Sequence, residues 1–134
     1  MIIISEDKKR TINVGNGVLF SVYSTLEIKA KRFKKNVPLV EQFLKLGTCE
    51  PEQALETARQ FNMMRDEFAK YEPSEAIYDM ANPKQKAPWS GKISPVITSC
   101  ANLYSTDDGQ DLLFEIVSIL TYASFAGVKV TVSM

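Results

Sequence analysis

The sequence predicts an α+β fold in a single domain spanning residues 1–134: an N-terminal β-hairpin and a C-terminal strand in a small sheet packed against about four helices. Three observations carry this expectation. Apolar and polar residues alternate near both ends of the chain, at Ile12 and Val14 and again at Val128, Val130 and Val132, as half-buried strands require. Between those ends, apolar residues recur at helical spacing in four stretches. The chain has 134 residues and is 45% hydrophobic, which is the length of one domain and enough to bury one core.

Ile2 to Ile4 and Thr11 to Val14, joined by a charged turn, read as the hairpin. Gly15-Asn16-Gly17 breaks the alternation. Asn16 is placed to cap a helix in which Leu19, Phe20, Tyr23 and Leu26 keep helical spacing, although Val18, Val22 and Thr25 also suit a strand. A basic run from Lys29 to Lys35 ends at Val37-Pro38, where proline suits the first turn of a second helix. Its stripe is Val40, Phe43, Leu44 and Leu46, closed by Gly47. Cys49-Glu50-Pro51-Glu52 opens a third helix that runs to about Tyr71, before Pro73. Pro83, Pro88 and Pro95 with Gly91 mark residues 82–95 as a loop, which holds the only tryptophan, Trp89. Thr106 to Asp111 is an acidic turn that feeds a fourth helix from about Asp108 to Ala126, with Gln110 three residues after Asp107 as in a capping box. The apolar residues of this helix, from Leu112 and Phe114 to Phe125, cover nearly every face, so it is expected to be central and buried. Gly127 ends it and the valine strand follows.

Composition narrows the function classes. Sixteen basic and sixteen acidic side chains give zero net charge, so no global basic excess points to nucleic acid or to an anionic membrane. There is no histidine, the commonest general base and the commonest metal ligand. Cys49 and Cys100 form no Cys-x-x-Cys pair and read as two free thiols of a reducing compartment. Met1-Ile2-Ile3-Ile4 precedes the charges rather than following them, which reverses the order of a signal peptide. The stretch from Leu112 to Val128 is interrupted by Glu115 and falls short of the roughly 20 residues that a membrane span needs. A cytoplasmic protein without a membrane partner is therefore expected. Neither the Lys-Ser/Thr phosphate loop nor the three-glycine dinucleotide spacing is present, and no cofactor is expected.

Charge is balanced overall but segregated. Residues 1–48 carry nine basic and four acidic side chains, residues 49–82 three and eight, and residues 83–134 four and four. On a helical wheel over residues 52–71, Ala58, Phe61, Met64, Phe68 and Tyr71 share the core arc. The opposite face collects Glu52, Glu56, Asp66 and Glu67 with Arg59 and Lys70. Met63 lies among them, either as an ordinary exposed methionine or as an adaptable apolar contact in a charged field.

Asp107, Asp108 and Asp111 form a second acidic patch. Their spacing does not match a calcium loop, and capping of the following helix accounts for them better than a metal does, so no metal site is expected. Trp89 reads as an anchor that pins its loop to the core, or as an exposed contact. Two other functions rest on named residues. Asp79 with Asp107 or Asp108 offers the acid and base of a small carboxylate enzyme. Lys29 to Lys35 with Phe33 offers a phosphate-contacting and base-stacking run.

Pro88-Trp89-Ser90-Gly91-Lys92-Ile93-Ser94, then Asn102-Leu103-Tyr104, then Thr106-Asp107-Asp108-Gly109-Gln110-Asp111-Leu112, followed by an apolar helix and a closing valine strand, resembles a bacterial immunity-protein family. It is similar to the immunity protein seventy family of polymorphic-toxin and contact-dependent growth inhibition systems, over residues 74–134, and Gly17 to Phe20 is compatible with the family's N-terminal turn and helix. The resemblance implies an α+β fold and a non-catalytic inhibitor whose partner is a cognate toxin C-terminal domain. Many such toxins are nucleases with basic sites, which carboxylates and a few apolar anchors can block. Combined with the acidic faces, this makes Glu52, Glu56, Met63, Asp66, Glu67, Trp89, Asp107, Asp108 and Asp111 the candidate toxin-binding residues. Direct nucleic-acid binding is not expected, and the sequence leaves the oligomeric state open.

Overall fold

A computed structural model describes residues 1–133. The expected hairpin forms between β1 (Ile2–Ser5) and β2 (Thr11–Asn13), with Ile3 opposite Ile12. β4 (Val130–Ser133) pairs antiparallel with the other side of β1, Ile3 opposite Val132. The strand order is β2-β1-β4-β3, where β3 (Thr48–Cys49) is a two-residue edge strand that sequence reading missed. Side chains alternate across the sheet. Ile3, Ser5, Ile12, Cys49 and Val130 point into the core and are buried, whereas Ile2, Thr11, Asn13 and Ser133 face outward.

Four helices cover the inner face. α1 (Val18–Ile28) buries Leu19, Val22 and Leu26. Its N-cap is Gly17 at φ 85°, a left-handed conformation suited to glycine, so Asn16 does not cap it. α2 (Pro38–Leu46) starts on Pro38 and stops at the left-handed Gly47, as expected. α3 (Pro51–Phe68) buries Ala54, Ala58, Phe61, Met64 and Phe68, and Phe61 meets Phe43 of α2 edge-on at 6.0 Å. It ends three residues before the expected Tyr71, which follows in a turn and is half-buried.

α4 (Leu112–Ala126) begins later than expected. Asp111 is its cap and accepts the Phe114 N–H at 3.2 Å, while the Thr106 N–H donates to the Gln110 carbonyl at 2.8 Å, so residues 106–110 close on themselves and the Asp107–Gln110 capping box does not form. The expectation of a helix buried all round is also corrected. Leu112, Leu113, Ile116, Ile119, Leu120 and Ala123 are buried, but Phe114 is 55% exposed and Phe125 is 86% exposed. α3 and α4 pack antiparallel. Arg65, near the end of α3, lies over the Phe114 ring at 5.6 Å, and Leu55, near its start, shares a groove with Thr121.

Residues 76–104 between α3 and α4 hold no helix or strand and form a strap across α1. A ring of hydrogen bonds seats it. The Ile77 N–H donates to Thr25 Oγ1 at 2.9 Å, Thr25 and Ser21 hydroxyls lie 3.0 Å and 3.1 Å from the buried Tyr104 hydroxyl, and Ser21 Oγ donates to the Ile77 carbonyl at 2.8 Å. Each hydroxyl carries one proton, so the run closes as Ile77 to Thr25 to Tyr104 to Ser21 and back to Ile77. Trp89 sits edge-on between Tyr78 (5.6 Å) and Tyr104 (6.1 Å), half-buried, which is the anchoring role. Cys49 and Cys100 are buried and free, and burial pushes both thiols up, Cys100 to about 12.

Candidate functional site

The outer face of the α3–α4 pair combines charge with exposed apolar side chains. On α3 the wheel reading holds for Glu52, Glu56, Arg59 and Asp66, which are all exposed. Glu56 is held by Arg59, whose Nε donates to its two carboxylate oxygens at 2.8 and 3.0 Å; this pairing, helped by Gln60, keeps the carboxyl down at about 2. Glu52 and Asp66 have no salt-bridge partner among the described residues. Beside them Leu55 is 57% exposed, and with Val117 and Thr121 it lines an open groove between the two helices.

The other residues proposed on that helix are turned elsewhere. Glu67 is mostly buried and accepts the Tyr71 hydroxyl at 2.5 Å and the Lys70 ammonium at 3.1 Å; the tyrosine bond is the main cause of its lowered carboxyl pKa. Met63 is half-buried against the core, and its sulfur accepts from Arg59 Nη1 at 3.3 Å. Three residues that reasoning from sequence did not select, Leu55, Phe114 and Phe125, are the large apolar groups of this face. For the two phenylalanines the signal was available in the helix stripe of α4, where Phe114, Ser118, Thr121 and Phe125 recur at i, i+4, i+7 and i+11.

The second patch lies at the N-terminal end of α4. Asp107 donates its N–H to the Asn13 carbonyl at 2.8 Å, which docks the acidic turn on the outer edge of β2. Asp108 accepts the Thr106 hydroxyl at 2.5 Å and Asp111 caps the helix. Thr11, Asn13, Asp107, Asp108 and Glu115 wall a cleft of about 290 Å³ there. Because the end of α3 meets the start of α4 at the Arg65–Phe114 contact, Asp66 and Asp111 belong to the same end of the pair, while Glu52 and Glu56 stand toward its other end beside Val117 and Thr121.

The competing constellations are built differently. Asp79 lies on the strap, where its carboxylate accepts the Ala81 N–H at 2.9 Å, and it is not among the residues lining the cleft beside Asp107 and Asp108. In the basic run, Lys29 pairs with Glu75 at 2.8 Å, Lys34 pairs with Glu27 and, at 3.6 Å, with Glu41, and Phe33 packs against the core. Lys31, Arg32 and Lys35 remain exposed. Among the described residues no helix is long and apolar enough to cross a membrane.

A family model described as Immunity protein 70 matches residues 8–132, nearly the whole chain and well beyond the motifs of residues 74–134. No curated protein matches, and no solved structure does.

Proposed function

The chain belongs to the Immunity protein 70 family, and from that premise we propose that it is a non-catalytic, cytoplasmic immunity protein of a polymorphic-toxin or contact-dependent growth inhibition system. It binds the C-terminal domain of its cognate toxin and neutralises it. The observation that supports this best is the pair of acidic clusters, one along exposed α3 and one on the turn before α4, set beside exposed apolar side chains. A nuclease concentrates basic groups where it holds phosphates, and a rim of carboxylates complements such a surface while speeding the encounter. Glu52, Asp66 and Asp107 supply the charge, Asp108 and Asp111 extend it, and Glu56 contributes with its charge shared with Arg59. Glu67 braces Tyr71 at the end of α3, Trp89 anchors the strap between Tyr78 and Tyr104, and Met63 fills in beneath Arg59.

Co-expression with the toxin domain encoded immediately upstream tests the reading. A co-eluting complex and restored growth are the expected results. Glu52→Lys with Asp66→Lys is expected to slow association by roughly tenfold at low salt and to flatten its salt dependence, as rim charges do. A toxin domain that kills on its own, with neither complex nor rescue on co-expression, would overturn it.

A further inference from the structure

We propose that the seam between α3 and α4 seats a single amphipathic helix of the toxin domain, with Phe114, Phe125 and Leu55 as the apolar contacts and a basic flank on the incoming helix. This rests on the toxin-binding reading and specifies its occupant. α4 already buries one full face in the core, and still leaves Phe114 55% and Phe125 86% exposed on the opposite one. Large exposed aromatics on a rigid helix are where binding energy concentrates. They stand eleven residues apart, about 16 Å along the axis, with the smaller Ser118 and Thr121 between them. That stripe is therefore a saddle, high at both ends and low in the middle. Leu55 and Val117 form its wall toward α3, in an open groove of about 550 Å³.

The geometry selects a helix. Backbone groups within α3 and α4 are already bonded along each helix, so no strand can extend this surface, and contact has to be made by side chains. The outer groove of two antiparallel helices accepts the side-chain ridge of a third. Charge selects the flank and argues against a second copy of this chain. Glu52 and Glu56 line the seam on α3, Asp66 stands exposed next to Arg65 on the same helix, and Asp111 caps the Phe114 end of α4. Of the two arginines there, Arg59 is engaged by Glu56 and Arg65 is turned onto the Phe114 ring. Two such faces brought together would oppose carboxylate to carboxylate, whereas lysines and arginines beside the apolar stripe of an incoming helix would meet them.

The test is binding of the purified upstream toxin domain to the full chain carrying Phe114→Ala and Phe125→Ala, with circular dichroism melts as the folding control. Both rings are exposed, so the melting curve should stay within a few degrees of the parent while the Kd rises by roughly a hundredfold or more. Hydrogen exchange in the parent complex should show new protection in one helix of the toxin. Unchanged affinity in the double variant, with the parent still bound and protective, overturns this inference and leaves the toxin reading standing. Sedimentation showing a dimer of the chain alone that the double variant dissolves would assign the seam to a second copy and overturn it too. Failure of the parent to bind overturns both.

Discussion

The hydrogen-bonded ring that seats the strap makes an unequal prediction for two of its members. Tyr104→Phe removes the hydroxyl between Thr25 and Ser21, but no buried group is stranded: Ser21 keeps the Ile77 carbonyl at 2.8 Å, and Thr25 falls back on that carbonyl at 3.3 Å. Two bonds are lost and a poorer one is partly regained, so the expected cost is about 1–2 kcal/mol at 0.5–1.5 kcal/mol per bond. Thr25→Val takes away the acceptor of the Ile77 N–H, 2.9 Å away, and among the described residues no second acceptor bonds it. An unsatisfied donor adds its own desolvation cost, which brings this variant to about 2–3 kcal/mol. Burial pushes the Tyr104 hydroxyl up to about 12, so the ring keeps its proton at ordinary pH. Urea unfolding at pH 7 reads both, as midpoint shifts at constant slope. The double variant should fall short of the sum, by about 0.5 kcal/mol or more. Equal costs for the two single variants, or strict additivity, would refute a closed ring running through Tyr104.

Two further outcomes follow from contacts elsewhere in the fold. Trp89→Ala should destabilise by about 2–3 kcal/mol, below the range for a fully buried tryptophan because Trp89 is half-buried between its two tyrosines, and it should expose residues 82–95 to limited proteolysis. Asp7 accepts the Tyr122 hydroxyl and is bonded by Ser5, which lowers its carboxyl pKa to about 2. A carboxyl depressed on folding stabilises above its unfolded value near 4 and loses that contribution as pH falls toward 2, so Asp7→Asn should flatten the acid side of a stability-against-pH profile between those values. An unchanged slope there would remove Asp7 from the acid response.

How much was legible follows from how local each signal is. α2 was read to the residue because proline at its start and glycine at its end act through their own backbone. The hairpin is legible from a short apolar run, a charged turn and an alternating second strand, and the valine strand from alternation. β3 was not, since two residues carry no period, and Thr48 and Cys49 become a strand only because β4 lies beside them. The start of α4 was misplaced because four polar residues before Leu112 all suit a cap, and the choice among them is made by the contact of Asp107 with β2. Hydrophobicity was read as burial for α4, yet one helix in a layer has only one covered side, and the surplus apolar residues, Phe114 and Phe125, fall on the other. Glu67 was placed with the exposed acids by its angle on the wheel, and Tyr71, beyond the helix end, turned it inward.

The order β2-β1-β4-β3 has a consequence for the timing of synthesis. Its two central strands are far apart in sequence, Ile2 lying opposite Ser133, so the sheet cannot close until residues 130–133 have been made. At about 5–20 residues per second β1 waits on the order of ten seconds for its neighbour. Throughout that wait one side of the strand has no permanent mate, and the nascent chain depends on the β1–β2 hairpin and helices α1 to α3 for whatever order it has. On the toxin reading, a cell is guarded only by molecules whose residues 130–133 have cleared the ribosome, and a stalled or truncated product offers it no partial protection.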